Sequence, residues 1–155
     1  MIPHSKPCLD DKERAAVDRV LASGMLAQGG QAAAFEAECA AFLGRRHAVA
    51  VSSGTAALHL TLLGLNLGPG GAVAMPSYVC AALLQAVHHV GAAPCFLDNG
   101  PDGNLRADAV AGETACLVLP HLFGKTAPWP AHACVVEDIA QSIGGGTGKR
   151  GTATV

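Results

Sequence analysis

The sequence has 155 residues and a formal net charge of −2, and half of its residues are hydrophobic while 14% are charged. This length and composition predict one domain, residues 1–155, with a substantial buried core. The small net charge gives no reason to expect a nucleic acid or an anionic membrane as a partner. No apolar run reaches the length of a membrane span, and no signal region is present at the N-terminus, so we expect a cytoplasmic protein.

The cysteines are widely spaced and form neither a C-x-x-C pair nor a zinc-finger pattern. Most of them lie inside apolar runs, which indicates reduced, buried side chains rather than disulfides or metal ligands. They are Cys8, Cys39, Cys80, Cys95, Cys116 and Cys134.

Two helices are predicted at the start of the chain. Asp10 and Glu13 have the spacing of a capping box, which predicts a helix over residues 11–22. A second helix is predicted over residues 31–43, ending at a glycine. The side chains that this second helix is expected to bury are Phe35, Cys39, Phe42 and Leu43.

The remaining sequence alternates short apolar runs with stretches of helical spacing. Strands are predicted over residues 48–51, 72–75, 94–97, 115–119 and 134–137, with a further one at 152–155. Helices are predicted over residues 55–63, 78–90 and 106–110, and the proline-rich connection 120–133 is expected to be irregular. This alternation favours a three-layer α/β/α fold with a mainly parallel sheet.

Residues 52–58 (Ser-Ser-Gly-Thr-Ala-Ala-Leu) join the first predicted strand to its helix. The first backbone N–H groups of a helix have no partner within it and carry a partial positive charge, so Thr55 and its neighbours suit an anion such as phosphate. A simpler interpretation remains open, in which Ser53 is a helix cap and Gly54 only lets the chain turn.

Asp138 stands at the end of an apolar strand, where a carboxylate is costly unless a cation or several donors meet it. Ligands of parallel sheets bind beyond the carboxyl ends of the strands. A phosphate site and this carboxylate together indicate a ligand with a phosphate and a protonated nitrogen, as in pyridoxal phosphate. Asp138 could equally cap the turn after its strand. The segments expected at this crevice are residues 52–56, 77–80, Asp98, His121 and 138–141.

Several longer segments occur together in one order. They are residues 47–60, 68–70 (Gly-Pro-Gly), 76–78 (Pro-Ser-Tyr), 120–124 (Pro-His-Leu-Phe-Gly) and 136–142 (Val-Glu-Asp-Ile-Ala-Gln-Ser). In these segments the chain resembles the N-terminal half of the DegT/DnrJ/EryC1/StrS family. Members of that family are fold-type I pyridoxal-phosphate enzymes, similar to aspartate aminotransferase, which mostly aminate nucleotide-linked keto-sugars.

The resemblance implies a role for each matching position. The backbone at Gly54, Thr55 and Ala56 would hold the cofactor phosphate. Asp138 would face the pyridine nitrogen. The two remaining positions are Gln141, which would lie near the phenolic oxygen, and Cys80, which would cover the ring face. It also implies a homodimer.

Three features depart from the family pattern. Cys80 stands where an aromatic or histidine is usual, and residues 120–133 are short for a crossover helix. The family's Schiff-base lysine would lie beyond Val155, so no catalytic residue is assigned in this chain. We therefore expect no transamination by the chain alone, which would be a fragment or one part of a divided enzyme and would pair with a second copy of itself or with a complementary C-terminal half. The alternative is a non-catalytic ligand-binding or assembly module. The lysines present are Lys6, Lys12, Lys125 and Lys149.

Other short patterns are weaker. Residues 146–151 fit G-x-G-x-x-G but do not run from a buried strand directly into a helix, and they fail as a phosphate-binding P-loop. The adjacent residues His88 and His89 point apart on a helix, which argues against a shared metal. Arg45 and Arg46 are interpreted as a solvated edge, and Lys149 as solvated in a glycine-rich hairpin.

Overall fold

The computed structural model of the protein describes residues 6–106, 108–109 and 112–155. The chain divides into two compact units, one of residues 1–42 and 46–50 and the other of residues 43–45 and 51–155. The prediction of one domain over residues 1–155 stays a prediction. The short helix predicted over 106–110 lies partly outside the described residues.

The first unit contains helix α1 (Asp11–Ser23) and all but the last residue of helix α2 (Gly30–Leu43), and both helices are close to their predicted bounds. The capping box is present, because Glu13 Oε2 accepts from the Asp10 N–H at 2.7 Å and the Asp10 carboxylate caps the first turn. Gly24 ends α1 in the left-handed conformation at φ 69°, which favours glycine.

The predicted burial of the second helix is wrong. Phe35 and Phe42 are 59% and 57% exposed, while Cys39 and Leu43 are half-buried. The buried residue of α2 is Ala40. Apolar side chains occur around the whole circumference of this helix, so its sequence does not define which side is packed.

The strand predicted over residues 48–51 is also wrong. These residues form no regular secondary structure and pair with no strand in the described part of the chain, and Val49 is 76% exposed. The Ala50 N–H instead donates to Glu36 Oε1 at 2.8 Å. An apolar run forms a strand only where a neighbouring backbone is available for pairing, and the run itself does not reveal that neighbour.

The second unit is a parallel α/β sheet. The five described strands run in the order β2-β1-β3-β4-β5, and each adjacent pair is parallel. This confirms the predicted α/β fold with its parallel sheet. Its elements are α3 (Gly54–Gly64), β1 (Ala72–Pro76), α4 (Ala81–His89), β2 (Ala93–Leu97), β3 (Cys116–Pro120), β4 (Val135–Asp138) and β5 (Ala153–Thr154).

The two faces of the sheet have separate cores. Helices α3 and α4 cover the face that we call the helix face, where Leu62 and Val87 are fully buried. Each such side chain contributes about 1.5–3 kcal/mol. The opposite face is covered by non-helical segments containing Leu105 and Ala127. Successive side chains along a strand point to opposite faces of the sheet. Residues two positions apart in β3 or β4 therefore pack in the same core.

Connections outside the sheet follow the sequence in outline. Residues 120–133 are irregular apart from a 3₁₀ turn over Leu122–Gly124. Helix α4 begins three residues later than predicted, and the Tyr78 N–H, in the bent segment before the helix, donates to Asn99 Oδ1 at 2.8 Å. Among the described helices, none has both the length and the hydrophobicity needed to cross a membrane.

All six cysteines are free, but their predicted burial is only partly correct. Cys8 and Cys80 are exposed, whereas Cys116 is buried. Burial of Cys116, with Cys134 beside it, raises the pKa of its thiol to about 12.

Candidate functional site at the carboxyl edge of the sheet

The start of α3 presents free backbone donors. Ser53 caps the helix, with its Oγ accepting from the Ala56 N–H at 3.1 Å. The preceding N–H groups, of Gly54 and Thr55, meet no acceptor in the part of the chain that the structure describes. A side-chain Cβ at Gly54 would contact nothing within 4 Å, so the space beside that residue is open. Capping and anion binding are therefore compatible here, because the cap uses one donor and leaves two.

Asp138 is the last residue of β4 and lies on the helix face. Its position two residues after Val136, which packs in the core of that face, sets this orientation. Oδ1 accepts from the Ala140 N–H at 3.1 Å, as in the turn-capping interpretation, while Oδ2 has no partner among the described residues. Burial raises the pKa of Asp138, and the Ala140 hydrogen bond opposes that shift without cancelling it. The second oxygen is free to accept from a ligand cation.

Gln141 lies in the turn that follows Asp138. Its Oε1 accepts from the Phe123 N–H at 2.9 Å, which leaves the side-chain NH₂ group without an acceptor among the described residues. Phe123 has φ 58°, a conformation that costs energy for a bulky residue, so the Gln141 bond helps to hold a strained turn. The amide donors of Gln141 suit a ligand oxygen.

Cys80 immediately precedes α4 at the carboxyl end of β1. Its side chain is exposed and makes no capping hydrogen bond. The thiol is thus available for contact with a ligand, although it offers less surface than an aromatic ring would.

The sheet order decides which predicted site residues share a face. Strands β1, β3 and β4 are neighbours, and the Pro120–Asp138 register places the ends of β3 and β4 side by side. Asp138 lies on the face covered by α3 and α4, whose first residues are the phosphate-site and Cys80 positions. His121 lies on the other face of the sheet. It is two residues after Leu119, so its side chain points to the same side as that of Leu119, away from the helices. The predicted crevice therefore divides, with His121 on the other side of the sheet.

Glu137 was not selected from the sequence, yet it is the most extensively bonded side chain described. Its carboxylate is 2% exposed and accepts from the N–H groups of Gly148 and Arg150 at 2.9 and 2.7 Å and from that of Gly151. His121 Nε2 lies 3.2 Å from Oε2. Burial alone would raise the pKa of Glu137, but these hydrogen bonds outweigh it and lower the pKa. The strict strand alternation from Val136 could have indicated its burial.

Arg45 corrects the interpretation of the arginine pair as a solvated edge. Its guanidinium is half-buried and donates to Gly148 O at 2.9 Å, Gly151 O at 2.8 Å and Thr154 Oγ1 at 2.8 Å, with Glu137 Oε1 at 3.5 Å. Arg46 is exposed, as predicted. A guanidinium suits this position because its planar donors reach several carbonyls at once. We call Glu137, His121, Arg45 and the backbone of residues 148–151 the Glu137 cluster.

The described residues contain neither a converging set of metal ligands nor a buried lysine. Within residues 6–106, 108–109 and 112–155, no three His, Cys, Asp or Glu side chains converge as metal ligands would. The ring of His89 contacts that of His59 edge to face, with centroids 5.4 Å apart. All four lysines are exposed, which confirms the prediction for Lys149.

The fold and the site together define a class: a parallel α/β protein with free helix-terminal donors and a partly buried acid at the carboxyl edge of its sheet. The chain belongs to the DegT/DnrJ/EryC1/StrS aminotransferase family, whose model matches residues 7–151. That family uses pyridoxal phosphate.

Solved structures agree with this assignment. DesV from S. venezuelae is 35% identical, with a TM-score of 0.75 over 85% of this chain and 39% of that one. A family member from Brucella abortus is 32% identical, with a TM-score of 0.76 over 86% and 41%. The aminotransferase from Psychrobacter cryohalolentis is 28% identical, with a TM-score of 0.80 over 92% and 40%. The chain spans about 40% of the length of the structures it matches.

Proposed function

We propose that this chain forms the cofactor-binding part of a pyridoxal-phosphate aminotransferase for nucleotide-linked keto-sugars. The backbone at Gly54, Thr55 and Ala56 would receive the cofactor phosphate. Asp138 would face the ring nitrogen. Gln141 would donate to the phenolic oxygen, and Cys80 would cover one face of the ring.

One observation carries the proposal: Asp138 keeps an oxygen free on the same face as the start of α3. A carboxylate in partly buried surroundings is stabilised by a cationic partner, and a pyridinium N–H is such a partner. The two free donors at Gly54 and Thr55 match the acceptor oxygens of a phosphate. Donor and acceptor groups of this chain thus support binding at both ends of the cofactor.

Each residue has a separate task in this arrangement. When bound, pyridoxal phosphate supplies an electron sink for carbanion formation. Asp138 would hold a proton on the ring nitrogen through Oδ2, which maintains the electron-withdrawing form of the ring. The helix donors would fix the phosphate, and Gln141 would orient the ring between these two anchors.

The family resemblance assigns the covalent attachment to a lysine that none of the four lysines here matches. We therefore infer that the chain does not catalyse transamination by itself. A second copy of the chain or a complementary C-terminal half is the partner that the family relationship favours, and we infer a cytoplasmic location.

Titration with pyridoxamine phosphate tests the site without any covalent link. We expect the 155-residue chain to bind it, and Asp138→Asn to weaken binding about tenfold or more, because a hydrogen bond to a charged group is worth about 1.5–3 kcal/mol. Asp18→Asn is the matched control, since Asp18 is an exposed aspartate of α1 and lies outside the predicted crevice. No binding by the parent, or equal weakening by both variants, would contradict the proposal.

Borohydride reduction in the presence of pyridoxal phosphate tests the inference about lysine. We expect no stoichiometric adduct at a single lysine. A defined adduct on Lys125 or Lys149 would overturn it and would identify an attachment residue within this chain.

The second candidate is a non-catalytic ligand-binding or assembly module. The exposed side chains of α1 and α2, including Val17 and Phe35, favour it, because large exposed apolar surfaces mark interaction sites. Self-association without pyridoxamine phosphate binding is its expected signature.

A further inference from the structure

The imidazole of His121 has a defined tautomer. It is 1% exposed, and its Nδ1 accepts from the Ala127 N–H at 2.9 Å. A neutral imidazole that accepts at Nδ1 carries its proton on Nε2, so Nε2 donates to Glu137 Oε2 at 3.2 Å. Both ring nitrogens are therefore occupied, and the ring cannot turn without losing two buried hydrogen bonds.

The same residue is bonded to Asp138 through the backbone. The His121 N–H donates to Asp138 O at 3.0 Å, across the junction of β3 and β4. On the other side of β4, the Ile139 N–H donates to Val155 O and the Val155 N–H to Glu137 O, each at 2.8 Å. The peptide groups around Asp138 are thus held from both neighbouring strands.

Glu137 adds a third constraint. Its two oxygens receive four donors, so its side chain has a single arrangement on the opposite face of β4. Consecutive strand residues share a peptide plane, and fixing Glu137 on one face fixes the direction in which Asp138 leaves the other.

We propose that His121 and Glu137 are positioning residues for the ring-nitrogen end of the cofactor site, acting through the backbone of Asp138 from the opposite face of the sheet. This inference rests on the proposed function. It assigns a ligand-directed role to two side chains that the ligand would not touch. Loss of the His121–Glu137 bond should misdirect the Asp138 carboxylate, leaving the helix-terminal phosphate donors in place.

Two substitutions at His121 separate the hydrogen bond from the space that the ring fills. In His121→Gln the amide can replace both ring nitrogens, accepting from Ala127 and donating to Glu137. His121→Asn is one methylene shorter and does not reach Glu137. His132→Asn is a matched control, because His132 ties Thr114 to Cys134 at the opposite ends of β3 and β4.

The measurement is binding of pyridoxamine phosphate labelled with ¹⁵N in its ring, by calorimetry and by the ¹⁵N chemical shift of the bound ring. We expect His121→Asn to weaken binding about tenfold and to move the ring signal toward the unprotonated position. His121→Gln should restore the affinity and the signal of the parent. His132→Asn should lower the unfolding midpoint but leave the ring signal unchanged. If His121 only stabilised the fold, His121→Asn would likewise leave the ring signal unchanged.

The outcomes distinguish this inference from the proposed function. If Asp138→Asn changes the ring signal and His121→Asn does not, the positioning role is wrong and the cofactor site stands. If the parent does not bind, or Asp138→Asn leaves the signal unchanged, both are wrong. If His121→Asn does not fold, the test rests on His121→Gln. A ¹⁵N ring signal of His121→Gln that differs from that of the parent would then overturn the inference.

Discussion

Glu137 and Asp138 are consecutive carboxylates on one strand, and their surroundings are opposite. Glu137 points away from the helices and receives three backbone N–H groups, His121 and a more distant Arg45. Asp138 points to the helix face and receives one N–H, from Ala140. The pKa of Glu137 is lowered, whereas burial raises that of Asp138.

This difference separates a structural acid from a candidate functional acid. A buried carboxylate with all its acceptor positions filled is stabilised in the charged form and holds the fold together. A carboxylate with an unfilled position carries a desolvation cost that a ligand can relieve. Burial of a carboxylate therefore does not by itself identify a ligand site. An acceptor position without a hydrogen-bond partner is the feature that indicates one.

The two acids also contribute to stability with opposite signs. Glu137 has a folded pKa below its ordinary value of 4.5, so its contribution is present above that pH and is lost as the pH falls. Asp138 has a folded pKa above its ordinary value of 3.8, so folding is less favourable once the pH has risen through that folded pKa.

The largest effect is expected from Glu137→Gln. The NH₂ group of the new glutamine would meet a hydrogen-bond donor in either orientation of the amide. In the parent both carboxylate oxygens of Glu137 accept hydrogen bonds, and His121 donates from Nε2. Breaking a buried charged network by removing one partner costs about 3–5 kcal/mol. Urea unfolding at pH 7 measures this loss, with Asp138→Asn as the control on the adjacent residue.

A free energy of unfolding within about 0.5 kcal/mol of the parent would contradict the assignment of Glu137 as a structural acid. It would mean that residues 148–151 hold their conformation without the carboxylate.

Arg45→Met should have an intermediate effect. It removes three hydrogen bonds to Gly148, Gly151 and Thr154 and keeps most of the apolar stem. We expect a loss of about 1–3 kcal/mol, since the released carbonyls are only partly reached by water. Arg46→Met is the matched control, because Arg46 is exposed. Equal unfolding midpoints for the two variants would show that Arg45 does not anchor β5.

The contrast between the two acids also shows what the sequence can reveal. The apolar runs predicted β1 to β4 within about two residues, because buried parallel strands are short and continuously hydrophobic. The same rule was wrong for residues 48–51, since periodicity identifies a strand-like segment but not the neighbour that would pair with it. Likewise, the apolar residues of α2 did not predict which side chains are buried.

For the candidate site, the sequence indicated Asp138 by its position after a strand but not Glu137 beside it. Arg45 was missed because its partners are more than 100 residues away along the chain and are mainly backbone carbonyls. Contacts of that kind depend on the path of the glycine-rich segment, which has no periodic pattern. The functional roles of Gly54, Thr55, Ala56, Cys80, Asp138 and Gln141 stay predictions.

The smallest and most diagnostic effect is expected from Asp138→Asn as a function of pH. At low pH the Asp138 carboxyl is neutral in both the folded and the unfolded chain. The difference in free energy of unfolding between variant and parent at low pH is therefore the reference value. As the pH rises through 3.8, the unfolded parent ionises first and the folded parent loses stability relative to the variant. The stability of the variant relative to the parent should thus increase between pH 3 and pH 7, by less than about 1 kcal/mol because Asp138 is partly exposed.

Urea unfolding of both proteins at the two pH values measures this increase in relative stability. If the variant instead lost stability relative to the parent over that interval, Asp138 would be stabilised in its charged form by the fold, as Glu137 is, and no unfilled position would await a ligand cation.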